Sequence, residues 1–145
     1  MERVSKQVIV MRTKYPKGSV RKGKMIAQGA HASLAAVLSM SKGSSDSITI
    51  YLEDPRTGKP DSAMRDWLRG KFTKVCVQAS SQTSEEQEKE ITDLYEAAKE
   101  KGIPCSLIVD SGLTEFDGIP TKTCCAIGPA WSDEVDEITG KLGLL

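Results

Sequence analysis

Apolar positions along the chain follow two patterns, short continuous runs and runs with helical spacing. Four continuous, β-branched runs indicate buried strands: 6–12, 72–79, 103–110 and 121–129. Spacing near 3.6 residues indicates four helices: 22–41, a short one through Trp67 and Leu68 that Gly70 ends, 80–102 and 131–142. Strands and helices therefore alternate along the chain.

This alternation is typical of an α/β fold. We expect a single domain over residues 1–145, with a mixed, mostly four-stranded sheet and helices on both faces. The stretch 42–66 is harder to place, because a polar loop and turn residues surround 48–54, which is expected to be a short edge strand.

The first helix combines two different faces. A helical projection predicts a core-facing apolar stripe: Ile26, Ala30, Leu34, Val37 and Leu38. Lys24, Gln28 and His31 fall on another side, in register with one another. A helix that only packed against a core would not need this polar row, so the row is a candidate site.

Composition places the chain among ordinary globular proteins, with 145 residues, 39% hydrophobic and 28% charged. No apolar run approaches the roughly 20 residues that span a bilayer, and we expect no signal peptide and a cytoplasmic location. The four cysteines form no C-x-x-C pair, so buried reduced thiols are expected and a metal site is not.

Charge is distributed unevenly, although the net charge is zero. Residues 1–75 contain 15 Lys and Arg against 6 Asp and Glu, whereas residues 76–145 contain 5 against 14. The imbalance favours a surface for nucleic acid or another polyanion on the first half. The alternative is that the fold places the halves side by side and the charges cancel.

Candidate chemistry gathers at one predicted edge of the sheet. Asp110 ends a strand, and the helix that carries Lys24 begins just after the carboxyl end of another, so the two can meet there. Thr114, Thr121 and Thr123 lie in the same connection. Each residue alone is more often structural, and no nucleophile elbow, phosphate-binding glycine loop or zinc motif occurs. The residues alone indicate an α/β domain that binds a polyanion.

Three motifs in order resemble the type II peptidyl-tRNA hydrolases: K-G-K-x-x-A-Q-x-x-H at 22–31, D-x-G-x-T-E at 110–115, and T-x-T with I-G-P between 121 and 129. The resemblance runs from the first strand to the C-terminus and is weakest over 42–66. It implies a four-stranded mixed sheet, commonly a homodimer, and hydrolysis of the ester between a peptide and the terminal ribose of tRNA. It implies no metal and no cofactor. The residues that match the family's functional positions are Lys24, Gln28, His31, Asp110, Thr114 and Thr123.

Two departures from the family pattern concern one loop. Leu113 stands where the better-known archaeal and eukaryotic members carry Arg, which removes a planar clamp for phosphate or carboxylate. The spacing from Asp110 to Thr123 is also one residue longer.

The resemblance suggests roles for these residues. Asp110 would orient or activate water, and Lys24 would neutralise the oxyanion or hold a phosphate. Thr114 and Thr123 would hold water or the carbonyl, and Gln28 would position loop backbone or substrate. His31 would support the other residues, with a role as general base as the alternative. Basic residues expected to bind tRNA phosphates are Lys14, Lys17, Arg21, Lys22, Arg65, Arg69 and Lys71. Hydrolysis of another acylated tRNA, such as one with a D-amino acid, and a non-catalytic adaptor remain alternatives.

Overall fold

The structure, a computed structural model, describes residues 3–60, 62–113 and 116–145. Its elements in chain order are β1 (Ser5–Met11), α1 (Lys22–Leu38), β2 (Ser41–Gly43), β3 (Ile48–Ile50), α2 (Ala63–Arg69), β4 (Lys74–Gln78), α3 (Ser84–Glu100), β5 (Cys105–Asp110), β6 (Thr121–Trp131) and α4 (Ser132–Thr139). The predicted alternation of strands and helices is confirmed.

Four of the strands form one mixed sheet in the order β4-β1-β6-β5. The central strand β1 runs parallel to β4 and antiparallel to β6, and β6 also pairs antiparallel with β5. The predicted four-stranded mixed sheet is therefore confirmed. The segment expected to be a short edge strand instead supplies β3, which pairs with β2 in a separate two-stranded sheet.

The sheet separates two apolar layers, as alternation along β1 and β6 requires. One layer joins these strands to α3 and α4: Val8, Val10, Cys125 and Ile127 with Ile91 and Val135. The other joins them to α1: Ile9, Met11, Cys124 and Ala126 with Ala32 and Ala36. Helices thus cover both faces, as predicted.

The orientation of α1 differs from the prediction. Ile26 and Leu34, expected in the core, are 74% and 61% exposed. The residues that α1 buries are mostly small: Gln28, Gly29, Ala32, Ser33, Ala36 and Val37. Side chains of β1 already fill the layer beneath the helix, and Met11 Cε would lie 3.7 Å from a Cβ added at Gly29. Small residues therefore let α1 approach the sheet, and the larger apolar side chains point outwards.

Helix ends largely follow the predicted signals. The Ser62 and Thr83 side chains cap α2 and α3 by accepting hydrogen bonds from the third residue of each helix, and Gly70 ends α2. Ser132, expected to cap the last helix, is instead its first residue. Among the described residues, no helix has the length and apolarity needed to cross a bilayer.

Candidate active site

Lys24 and Asp110 meet at one end of the sheet, as the sequence predicted. Lys24 Nζ donates a hydrogen bond of 3.1 Å to Asp110 Oδ1, and the backbone N–H of Gly112 donates one of 3.2 Å to Oδ2. The two side chains are only 15% and 12% exposed. The carboxylate and the ammonium therefore form a partly desolvated ion pair at this end of the sheet.

The fold explains why residues 86 positions apart come together. Asp110 is the last residue of β5, and Lys24 lies in the first turn of α1, which begins after the connection that follows β1. β6 lies between β1 and β5 and is antiparallel to both, so the carboxyl ends of β1 and β5 point the same way. α1 packs on one face of the sheet, and its first turn lies at this end, against Asp110.

Gln28 and Thr123 form a second polar pair one turn along α1 from Lys24. Thr123 Oγ1 donates a hydrogen bond of 2.7 Å to Gln28 Oε1, and Cys124 Sγ lies 3.3 Å from the Gln28 carbonyl oxygen. Both side chains are buried, with Thr123 only 1% exposed. These contacts attach the first turns of α1 to the start of β6.

A β-bulge gives Thr123 this position. The β5–β6 register pairs Ile108 with Cys124 and Val109 with Lys122, so Thr123 is an extra residue opposite β5. Cys124 belongs to the layer that contacts α1, and strict alternation would turn Thr123 toward α3. The bulge instead brings both side chains to the α1 face.

The N-terminus of α1 has unusual electrostatics. α3 and α4 carry acidic residues in their first turns, which favourably complement the helix dipole. The first turn of α1 contains no acidic residue, and Lys22 and Lys24 lie there instead. Positive charge at a positive helix end costs stability, and it creates a local field that attracts anions.

The structure does not bring every predicted site residue into this cluster. His31 is exposed on α1, about 10 Å beyond Lys24 along the helix axis. Thr114 lies outside the described residues. Thr121 starts β6 opposite Asp110, and its hydroxyl donates to the Ile119 carbonyl. Leu113, at the family's arginine position, is 83% exposed.

The predicted phosphate-binding residues fall into two groups. Lys14, Lys17, Arg21 and Lys22 lie exposed on the connection and first turn beside the Lys24–Asp110 pair. Arg65, Arg69 and Lys71 lie on or after α2, which packs near the start of β1, where Ser5 Oγ donates to Asp66. The length of β1 separates the groups by about 20 Å.

Sequence reasoning missed Arg12, which organises the connection between β1 and α1. Its buried guanidinium donates to the carbonyl oxygens of Lys14 and Lys122 and to Ser84 Oγ, at 2.7–3.0 Å. It also lies 4.7 Å from the centroid of the Tyr15 ring. The available signal was an arginine directly after an apolar strand.

The thiol nearest the cluster is a poor nucleophile at neutral pH. Burial raises the pKa of Cys124 to about 12, and all four cysteines are free thiols, three of them buried. Within the described ranges, no group of three or more His, Cys, Asp or Glu residues is arranged to hold a metal ion. The polar groups that the structure brings together here are a carboxylate, an ammonium and a hydroxyl.

Two comparisons with known proteins point to one family. The profile of the family described as "Peptidyl-tRNA hydrolase PTH2" matches residues 5–145. A peptidyl-tRNA hydrolase of Methanocaldococcus jannaschii is 38% identical over 140 residues, covering 97% of this chain and 99% of that protein. One from Methanopyrus kandleri is 36% identical with 97% of both chains covered, and one from Halobacterium salinarum is 38% identical with 96% and 98% covered. The chain belongs to the peptidyl-tRNA hydrolase PTH2 family.

Proposed function

We propose that the protein hydrolyses peptidyl-tRNA at the Lys24–Asp110 pair and so returns tRNA to translation in the cytoplasm. Family membership supports the reaction, and the ion pair at the charged end of α1 is the observation that supports the site. The reaction adds water to the ester carbonyl and releases the ribose hydroxyl of the tRNA.

Asp110 is the proposed general base. Its carboxylate is held by Lys24 and by the Gly112 N–H, so its oxygens are fixed in direction. A carboxylate so positioned accepts a proton from a water molecule as that water attacks the ester carbon. The proton then passes to the leaving ribose oxygen.

Lys24 is the proposed electrostatic stabiliser. Its ammonium has three donors, so it can hold Asp110 and also face the carbonyl oxygen as negative charge develops there. The positive end of α1 adds to this field because Lys24 lies in the first turn. Partial burial strengthens the interaction, since less water screens it.

The remaining predicted site residues have positioning roles in this proposal. Gln28 and Thr123 fix the first turns of α1 against β6, which sets the direction of Lys24. For Thr114, which lies outside the described residues, the family resemblance supports direct contact with the water or the carbonyl. His31, exposed two turns away, would act through Gln28 or on bound substrate.

A turnover assay on N-acetylated aminoacyl-tRNA tests the site. Asp110→Asn and Lys24→Met should each lower kcat at least about 100-fold, the usual size of one general-base or oxyanion contribution. Matched controls are Asp133→Asn on α4 and Lys89→Met on α3, both exposed, which should keep wild-type rates. A wild type that cleaves while both site variants retain its rate would overturn the assignment. Competition with D-aminoacyl-tRNA separates the alternative substrate.

We also propose that tRNA binding depends mainly on phosphate contacts. A hydrolase that recycles many tRNAs needs contacts common to all of them, and backbone phosphates are common. Lys14, Lys17, Arg21 and Lys22 would hold the acceptor end near the site, and Arg65, Arg69 and Lys71 would contact tRNA about 20 Å away.

Salt dependence tests this binding proposal. The logarithm of tRNA affinity should fall linearly with that of salt concentration, and replacing one phosphate-binding lysine by glutamine should reduce the slope by about one. Lys22→Gln and Lys71→Gln probe the two groups, and Lys89→Gln is the control. Affinity that does not change with salt would contradict the proposal.

The family resemblance also suggests a homodimer, and an exposed apolar surface supports it. This surface borders an open cleft of about 700 Å³ and includes Met25, Ile26, Ala30, Leu34 and Leu145. We expect a two-fold contact in which α1 packs against its copy. Sedimentation equilibrium should give a dimer that Leu34→Glu dissociates, whereas Ile48→Asp on β3, equally exposed but elsewhere, should not. A monomeric wild type would rule the dimer out.

A further inference from the structure

Two aromatic rings lie beside the Lys24–Asp110 pair without a role in the mechanism above. The centroids of Tyr15 and Phe116 are 5.0 Å apart with an angle of 35° between the rings. Lys24 Nζ lies 5.8 Å from the Phe116 centroid. The aromatic pair therefore adjoins the group that we place at the ester carbonyl.

Tyr15 supports the pair from the protein side. Its ring is buried, its hydroxyl donates to the Arg12 carbonyl oxygen, and the Arg12 guanidinium lies 4.7 Å from the ring centroid. Arg12 is itself fixed by hydrogen bonds to β6 and α3. Phe116, in contrast, is only partly buried, so part of its ring is open to solvent. The result is a wall whose inner layer, Tyr15, is held by Arg12 and whose outer layer is a phenyl ring.

A small cleft of about 130 Å³ borders this wall. Apart from the two rings, its apolar lining comes from Pro16, Val20 and Ile119. An ion pair between Lys17 and Asp117 lies at the same cleft. The cleft thus offers an aromatic and aliphatic surface with charge at its border, which suits a flat, partly polar ring.

The chemistry of the substrate identifies that ring. The ester that is cleaved lies on the terminal ribose, and the base on the same ribose is the nearest planar group on the tRNA side. That base is adenine in every mature tRNA, whereas the peptide side chain varies. A platform whose supporting ring is held by Arg12 suits a constant group. We propose that Phe116, backed by Tyr15, is the platform on which the terminal adenine of tRNA stacks.

This inference depends on the proposed function of the Lys24–Asp110 site, and it adds a determinant of binding. Stacking positions the terminal ribose, so that the ester carbonyl lies against Lys24. Replacing Phe116 should therefore change KM more than it changes kcat. Base stacking on an aromatic side chain is sufficient for an effect of about fivefold or more.

The test combines a change of base with a change of ring. The substrates are N-acetylaminoacyl acceptor-stem RNAs whose terminal nucleotide carries adenine or lacks a base. Loss of the base should raise KM at least about fivefold for the wild type and for Phe116→Trp. Phe116→Leu should raise KM for the adenine substrate by a similar factor and should no longer distinguish the two substrates. Tyr51→Leu, an exposed aromatic in another part of the molecule, should behave as wild type.

Each other outcome has a definite meaning. If Phe116→Leu changes the preference between glycyl and phenylalanyl substrates but still distinguishes base from no base, the wall binds the peptide side chain and the proposal is wrong. If the wild type cleaves both RNA substrates with equal KM, Phe116 does not bind the terminal base and the stacking proposal is wrong. The proposed hydrolytic site is not affected by that result. If the wild type cleaves neither, the proposed function itself fails.

Discussion

The Thr123 hydroxyl donates a hydrogen bond of 2.7 Å to the side-chain oxygen of Gln28, in the interior between β6 and α1. Neither group can exchange its partner for bulk water, because both side chains are buried. A buried acceptor without a donor costs about 1–3 kcal/mol, so this bond constrains how α1 sits on the sheet. Since Lys24 is one turn away from Gln28, the bond also constrains the direction of Lys24.

We therefore expect Thr123→Val to lower both stability and activity. Valine has the same shape without the donor, so the variant should lose about 1–3 kcal/mol of unfolding free energy. Activity should also fall at temperatures where the variant is fully folded, because the first turns of α1 are no longer held. Urea unfolding and kcat at low temperature measure the two effects.

Thr123→Ser is the matched control for that substitution. Serine keeps the donor and removes one methyl group, so activity should stay close to wild type with a modest loss of stability. Wild-type kcat in folded Thr123→Val would show that the hydrogen bond has no part in positioning the site.

The sequence predicted some parts of this arrangement and not others. The strand-end position of Asp110, and the start of the Lys24 helix just after the carboxyl end of another strand, were sufficient to place Lys24 near Asp110. The bulge at Thr123 was not predictable, because one extra residue in a ladder leaves no signature in an alternating apolar pattern. Leu34 was misplaced because periodicity finds the more apolar face, and close packing had selected the smaller one.

Gly112 is expected to be essential for the geometry of Asp110. It has φ = +82°, and an added Cβ would lie 2.2 Å from the Ile119 carbonyl oxygen. Gly112→Ala should therefore displace the loop, break the N–H bond to Asp110 and lower kcat by tenfold or more, because small misplacements in active sites have large effects. Steady-state kinetics measure the loss, and circular dichroism checks that the fold persists.

Gly29→Ala is the control for the loss of a glycine. Gly29 lies within α1, and the nearest atom to a Cβ added there would be Met11 Cε, at 3.7 Å. Alanine should increase stability by up to about 1 kcal/mol through helix propensity and leave kcat unchanged. Equal kcat for the two alanine variants would contradict the role given to Gly112.

Glu90 is expected to make stability depend on pH. Burial alone raises the pKa of Glu90, but hydrogen bonds from Ser80 and Ser81 outweigh it and hold the pKa below the ordinary 4.5. A lowered pKa in the folded state means that the contribution is present above pH 4.5 and disappears as pH falls through the folded value. Glu90→Gln should lose up to about 1 kcal/mol at pH 7, because the carboxylate is largely open to solvent, which screens these bonds.

The difference between Glu90→Gln and wild type should shrink as the solution becomes more acidic. Urea unfolding at pH 7, 5 and 3 measures it. Exposed Glu137→Gln on α4 should show little difference at any pH, because its contact with Lys101 is at the surface. A Glu90→Gln deficit that is constant with pH would show that packing, and not ionisation, is what Glu90 contributes.

The Lys24–Asp110 pair should act as one unit in both stability and catalysis. At 3.1 Å and with little exposure, each charge compensates for part of the other's loss of water. Lys24→Met removes the cation beside the partly buried carboxylate of Asp110. Asp110→Asn removes the anion beside the partly buried ammonium of Lys24. The double variant contains neither charge. Its unfolding free energy should therefore exceed the additive value by about 0.5–3 kcal/mol.

The same four proteins give a kinetic cycle. If Lys24 stabilises charge that develops only when Asp110 takes a proton, the second substitution should cost far less than the first, since residues of one catalytic unit are not additive. Stability coupling with wild-type kcat in both single variants would make the ion pair structural. Independent, additive losses of kcat would mean that Lys24 serves the tRNA phosphate and not the oxyanion, because phosphate binding does not require the base.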